Sequence, residues 1–231
     1  MEQGMTVIHH LNEAPSIKPK GIILDMDGLM LDTERLELDL YVKISGKMGW
    51  PTPETMLRKT VGMGDAECVE FYKNQYGAGY PFEEIWTAVL EEETMYGNKN
   101  GLPRKKGLLV LLDKIKDLGL PAAVATSTKT PRARWKLERA GILDRFNALA
   151  CGEEIKNGKP APDIFILAAK KIGIEPQHCI GFEDSAAGLE GLSKAGIRSV
   201  FIMDLSKPPP EILRTVWKQC TDLEEASLLI S

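Results

Sequence analysis

The chain has 231 residues and a mass of 25.5 kDa, enough to bury a sizeable core as one large domain or two small ones. With 43% apolar and 27% charged residues, its composition is that of an ordinary globular protein and excludes disordered and fibrous classes. A formal net charge of −4 and a pI near 5.6 argue against a surface built to grip nucleic acid or anionic lipid.

Apolar runs such as Leu108–Leu112 are far too short to cross a bilayer, so no membrane association is expected. The opening residues show no basic stretch followed by an apolar one, and no signal peptide is expected there. Cys68, Cys151, Cys179 and Cys220 stand far apart, without a Cys-x-x-Cys pair. They read as reduced thiols of a cytoplasmic protein.

Residues 1–19 form a polar extension, with Pro15 and Pro19 marking an irregular lead-in. From Gly21 onward short apolar runs alternate with helical patterns. The runs are Ile22–Leu24, Ala122–Ala125, Ala148–Cys151, Cys179–Phe182 and Ser199–Met203. Gly119, Gly141, Gly173 and Gly196 each follow an amphipathic segment, where a helix ends most easily on a left-handed residue. Thr130-Pro131 and Ser185 read as helix starts, Thr130 by its capping hydroxyl ahead of a proline. Continuous apolar strands separated by helices predict a parallel sheet covered on both faces. One long segment, residues 34–100, contains no convincing strand. It holds all five tyrosines (41, 72, 76, 80 and 96) with Trp50 and Trp86, and reads as a helical insertion with a small aromatic core. Gly97 to Gly101 makes a bendable connector back. Pro208-Pro209-Pro210 reads as a rigid stop before a final helix.

The chemistry gathers at strand ends. Asp25 and Asp27 follow the first strand in Leu24-Asp25-Met26-Asp27-Gly28, and ligands of open parallel sheets bind beyond the carboxyl ends of the strands. Two carboxylates ahead of a turn-permitting glycine are costly unless something neutralises them. The second strand ends in Thr126-Ser127-Thr128, hydroxyls and amides suited to phosphate. Lys159 follows the third in Gly158-Lys159-Pro160, and the fourth ends in Glu183-Asp184-Ser185. Asp25, Asp27, Glu183 and Asp184 with one lysine suggest a divalent cation, and oxygen ligands suit Mg²⁺ over zinc. The reacting group is then an anion, for which phosphate is the natural candidate.

Four segments together carry a resemblance. Asp25-Met26-Asp27-Gly28-Leu29-Met30-Leu31-Asp32-Thr33-Glu34, Ala125-Thr126-Ser127-Thr128, Gly158-Lys159-Pro160-Ala161-Pro162-Asp163 and Gly181-Phe182-Glu183-Asp184-Ser185 resemble, in order, the motifs of the haloacid dehalogenase superfamily. The branch is that of β-phosphoglucomutase-like mutases and small-metabolite phosphatases. The resemblance implies a Rossmann-like α/β core with strand order 3-2-1-4-5, formed by residues 20–33 and 101–231, and an α-helical cap inserted at 34–100. It implies Asp25 as nucleophile forming an aspartyl phosphate, and Asp27 as general acid and base. Thr126, the Ser127 amide and Lys159 would hold the phosphoryl group, with Lys156 a weaker competitor for the lysine. Asp25, the Asp27 carbonyl, Asp184 and Glu183 would hold Mg²⁺.

Other signals are read as structural. Gly62-Met63-Gly64 lacks the strand and third glycine of a dinucleotide loop and reads as a cap turn. Glu91-Glu92-Glu93 reads as a solvated helix face, His178 as structural at a strand start, and His9 and His10 as part of the extension. Arg132, Arg134 and Lys136 read as surface charges. Mutases of the branch carry a histidine where this chain has Glu37, and a cap arginine where it has Asp65. A dehalogenase would lack Asp27, and a non-catalytic relative would lose Asp25 or Asp27. The expectation is a monomeric Mg²⁺-dependent phosphatase acting on a small phosphorylated metabolite, sugar phosphates foremost, with a hexose-phosphate mutase as the alternative.

Overall fold

A computed structural model of the protein describes residues 18–60 and 65–231. His9, His10 and the Gly62–Gly64 turn lie outside the described residues, as does the Asp65 side chain. Six parallel strands make one sheet: β1 (Gly21–Leu24), β2 (Ala122–Ala125), β3 (Ala148–Ala150), β4 (Cys179–Glu183), β5 (Arg198–Ile202) and β6 (Lys218–Cys220). Their order is β3-β2-β1-β4-β5-β6. The expected five-strand order is present and is extended by β6, so Pro208-Pro209-Pro210 precedes a strand as well as the last helix. β6 pairs Val200 with Lys218 and Ile202 with Cys220.

The central strands are apolar on both faces because helices cover both. On one face Ile22, Leu24, Val124 and Phe182 pack against α5 (Leu108–Asp117), α6 (Thr130–Arg139) and α10 (Leu223–Ser227). On the other, Ile23, Ala123 and Ala125 meet Ile164, Phe165 and Ala168 of α7 (Asp163–Lys171) and Leu192 of α8 (Ala186–Lys194). The short helix α9 (Pro210–Leu213) precedes β6. The predicted helix stops hold: Gly119, Gly141, Gly173 and Gly196 all have φ between 66° and 71°. Ser185 caps α8, its hydroxyl accepting from the Gly188 N–H at 3.0 Å. Thr130 does not cap α6. It is the first helical residue after Lys129, and the Glu153 carboxylate takes its N–H at 2.8 Å.

Between β1 and α5 the described residues form four helices, α1 (Thr33–Lys47), α2 (Glu54–Leu57), α3 (Asp65–Tyr76) and α4 (Phe82–Asn100). They share their own apolar cluster around Leu40, Tyr41, Tyr72, Tyr80, Phe82, Ile85 and Val89. The Tyr72 and Tyr80 rings stack at 5.3 Å, and the Tyr80 hydroxyl is satisfied by Thr52 Oγ1 at 2.7 Å. Stacked pairs of this kind contribute about 0.5–1.5 kcal/mol beyond their buried area. Among the described residues no helix is long and apolar enough to cross a membrane.

Candidate active site

The site lies at the carboxyl edge of the sheet. Leu24 is in register with Val124 and Phe182, which sets Asp25 level with Ala125 and Glu183, between the ends of β2 and β4. The Asp25 N–H continues the ladder to the Phe182 carbonyl at 3.1 Å. A tight turn then doubles the chain back, Met30 and Leu31 N–H both donating to the Met26 carbonyl at 3.0 Å. Gly28 makes the turn possible. Its φ is +83°, and a Cβ there would fall 2.3 Å from Asp184 Oδ2.

Asp25, Glu183 and Asp184 are all buried, and their carboxylate oxygens lie within 4.8 Å of one another. The Lys159 ammonium donates to Asp25 and to Glu183 Oε2, the latter at 2.8 Å. Glu183 is otherwise saturated: its Oε1 accepts from the Asp184 N–H, the Ser185 N–H and the Ser185 hydroxyl at 3.2, 3.0 and 2.8 Å. Asp184 Oδ1 is buried with no hydrogen-bond partner. Burial, then repulsion from Glu183, pushes the Asp25 carboxyl well above its ordinary range, against the pull of Lys159. Burial and the charges of Glu183 and Asp25 do the same to Asp184. An orphaned buried carboxylate oxygen beside two more carboxylates, with hard oxygen donors only, fits a divalent cation such as Mg²⁺. Lys156, by contrast, is exposed.

Asp27 turns the other way. Its Oδ1 accepts from the Thr33 hydroxyl at 2.7 Å and the Lys136 ammonium at 2.7 Å, and its Oδ2 from the Thr128 hydroxyl at 3.0 Å. Burial raises this carboxyl, but Lys136 and the hydrogen bonds outweigh it and hold Asp27 below the usual carboxylate value. At the end of β2, Thr126 is buried and its Oγ1 accepts from the Thr128 N–H at 3.1 Å, whereas Ser127 is exposed.

Two expectations are corrected here. Lys136 and Arg132 are not surface charges, although Arg134 is exposed. The Lys136 side chain is 5% exposed and lies 2.7, 3.0 and 3.4 Å from Asp27, Glu37 and Glu93. Arg132 donates to Glu93 and, at 2.6 Å, to Thr94. Glu93, expected on a solvated face, is fully buried, because α4 lays that side against α6. Glu34 and Asp204, to which sequence reasoning gave no role, also reach the site. Their carboxylates cluster with Asp184, and burial followed by the charge of Asp204 pushes Glu34 up to about 8. Asp204 is anchored by Lys105 at 2.5 Å and Arg35 at 2.8 Å.

Comparisons with known proteins place the chain in a family. The chain is 29% identical over 182 residues to a phosphorylated carbohydrates phosphatase of Thermotoga maritima, covering 79% of this chain and 84% of that one. It is 28% identical over 194 residues to the fructose-1-phosphate phosphatase YqaB of Escherichia coli, covering 78% and 94%. The fold superposes on a β-phosphoglucomutase from Clostridium difficile with a TM-score of 0.70 at 22% identity, covering 89% and 92%. Residues 19–196 match the haloacid dehalogenase-like hydrolase family, and the chain belongs to that family.

Proposed function

We propose that the protein is a Mg²⁺-dependent phosphatase of small phosphorylated metabolites, sugar phosphates foremost. The observation that carries this reading is the opposite placement of two carboxylates two residues apart. Asp25 is crowded against Glu183 and Asp184 with only Lys159 to offset it, while Asp27 is clamped by a lysine and two hydroxyls. One is set to bond to phosphorus and the other to move a proton.

In this reading an Asp25 carboxylate oxygen attacks phosphorus and the bond to the substrate oxygen breaks, while Asp27, ionised before substrate enters, takes up the proton of the monoanionic phosphate and delivers it to that leaving oxygen. Water then attacks the aspartyl phosphate, the phosphorus–Asp25 bond breaks, and Asp27 takes the proton from water. Lys159 holds Asp25 in line, and Thr126, the Ser127 amide and Lys159 meet the phosphoryl oxygens as their charge spreads. Asp25, Asp184 and the Asp27 carbonyl would hold Mg²⁺, with Glu183 beside them. When bound, the ion supplies charge neutralisation for the carboxylates and the phosphoryl group. Residues 34–100 act as a cap that excludes bulk water while 20–33 and 101–231 carry the chemistry. Relatives named for carbohydrate phosphates support the substrate class.

The test is phosphate release from a panel of sugar and other metabolite phosphates, with Mg²⁺ and then with EDTA. Release from at least one sugar phosphate, lost in EDTA and restored by Mg²⁺, is expected. β-Glucose 1-phosphate with catalytic 1,6-bisphosphate belongs in the panel. Isomerisation outpacing hydrolysis there would make the protein a mutase instead.

A further inference from the structure

We propose that Lys136 is a positioning residue for Asp27, held in place by the inserted helices. Three elements meet at its ammonium. Asp27 comes from the turn after β1, Glu37 from α1 and Glu93 from α4, at 2.7, 3.0 and 3.4 Å. The ammonium donates hydrogen bonds to Asp27 and Glu37, and Glu93 stands at ion-pair distance. Two of the three belong to the insertion. Arg132, one turn earlier on α6, grips the same Glu93 and its neighbour Thr94. Trp135 lies against Gly97 of α4 and donates to Asn98 at 3.2 Å. The face of α6 carrying residues 132, 135 and 136 is therefore the seat of α4.

The consequence for Asp27 follows from its three donors. Thr33, Thr128 and Lys136 together set the plane of its carboxylate. Thr33 and Thr128 are placed by α1 and by the end of β2, but the lysine sits where Glu37 and Glu93 hold it. With the insertion seated, the ammonium is fixed against Asp27. With the insertion lifted, it keeps only one of its three carboxylates. Lys136 thus ties the orientation of the proton-transfer group to coverage of the site. A role as plain glue is the poorer account, because buried ion pairs stabilise little compared with apolar packing of the same volume.

This inference rests on the phosphatase reading, and the experiment separates the two. Wild type, Lys136→Arg and two charge-balanced variants, Lys136→Met with Glu37→Gln and Lys136→Met with Glu93→Gln, are assayed on the best sugar phosphate of the panel, with melting curves alongside. Both double variants are expected to lose roughly 10²-fold in kcat, the scale of a misplaced catalytic group, with KM unchanged and melting temperature near wild type. Lys136→Arg, which keeps the charge but not the point geometry, should fall between. Wild-type kcat in either double variant overturns the assignment, as does a loss that tracks melting temperature or KM. If both double variants fail to fold, Lys136→Arg decides, and full kcat there overturns it. A wild type inert on the whole panel sinks the phosphatase reading and this inference with it.

Discussion

Asp25 and Asp27 stand two residues apart and are shifted in opposite directions, Asp25 upward and Asp27 downward. The difference comes from their neighbours: Asp25 has carboxylates around it, Asp27 has donors. Asp25→Asn removes one charge from a crowded group, so the metal-free protein should melt no lower than wild type. Its turnover should fall by roughly 10³-fold or more, as when a covalent nucleophile is lost. Lys159→Ala does the reverse to the charge balance, leaving Asp25 and Glu183 without their shared cation. It should lose about 10²–10³-fold in turnover and also destabilise the protein by about 3–5 kcal/mol, the cost of stranding buried charge. Phosphate release and calorimetry on the two variants check both halves. A tenth of wild-type turnover surviving in Asp25→Asn would remove it as nucleophile.

At the scale of elements, α6 shows where reading along the chain stops short. Ala133 and Leu137 mark its core face, buried under the sheet. Arg132 and Lys136, spaced one turn apart, look like any solvated flank of a polar helix. Lys136 is buried and Arg132 half-buried because α1 and α4, placed far earlier in the chain, deliver Glu37 and Glu93 to them, and no local pattern encodes that meeting. The strand-end motifs were legible because each is contiguous, with a tight turn or helix start beside it. Gly97 gives this interface a test of its own: a Cβ there would fall 2.8 Å from the Trp135 ring. Gly97→Val should push α4 off α6 and cost about 1–3 kcal/mol by overpacking. Turnover should drop while Mg²⁺ affinity, set by the sheet edge, stays as in wild type. Unchanged turnover in a destabilised Gly97→Val would show that seating α4 does not matter to catalysis.

For the molecule as a whole, the parallel sheet was legible in the apolar runs, its order only through the family resemblance of the motifs, and β6 was not legible at all. Lys218-Gln219-Cys220 has no apolar run, since an edge strand exposes its first two side chains and needs only β5 beside it. The summed electrostatics predict a pH dependence. Glu34 is pushed up to about 8 and Glu37 to about 7, from an ordinary 4.5, with burial the main cause and neighbouring carboxylates adding to it. Groups that bind protons more tightly when folded stabilise at low pH and lose that contribution as pH rises through the folded value. Asp27 has the opposite sign, its contribution fading only as pH falls below its ordinary 3.8. In EDTA the melting temperature should therefore decline from pH 4.5 to about 8, and Glu34→Gln should flatten that decline. A metal-free melting temperature that rises across the interval would refute the account.

The saturation of Glu183 has one more consequence, for which ions the site can prefer. Once a cation draws the protons from Asp25 and Asp184, these two with Glu183 and against Lys159 carry two negative charges in a buried space. With Glu183 Oε1 taken by three donors and Oε2 by the lysine, that charge is offered mainly through Asp25 and Asp184. A sodium or potassium ion there would balance half of it, and a trivalent ion would overshoot. Valence is thus discriminated by charge arithmetic before size or coordination number is felt, and the fixed lysine sets the sum.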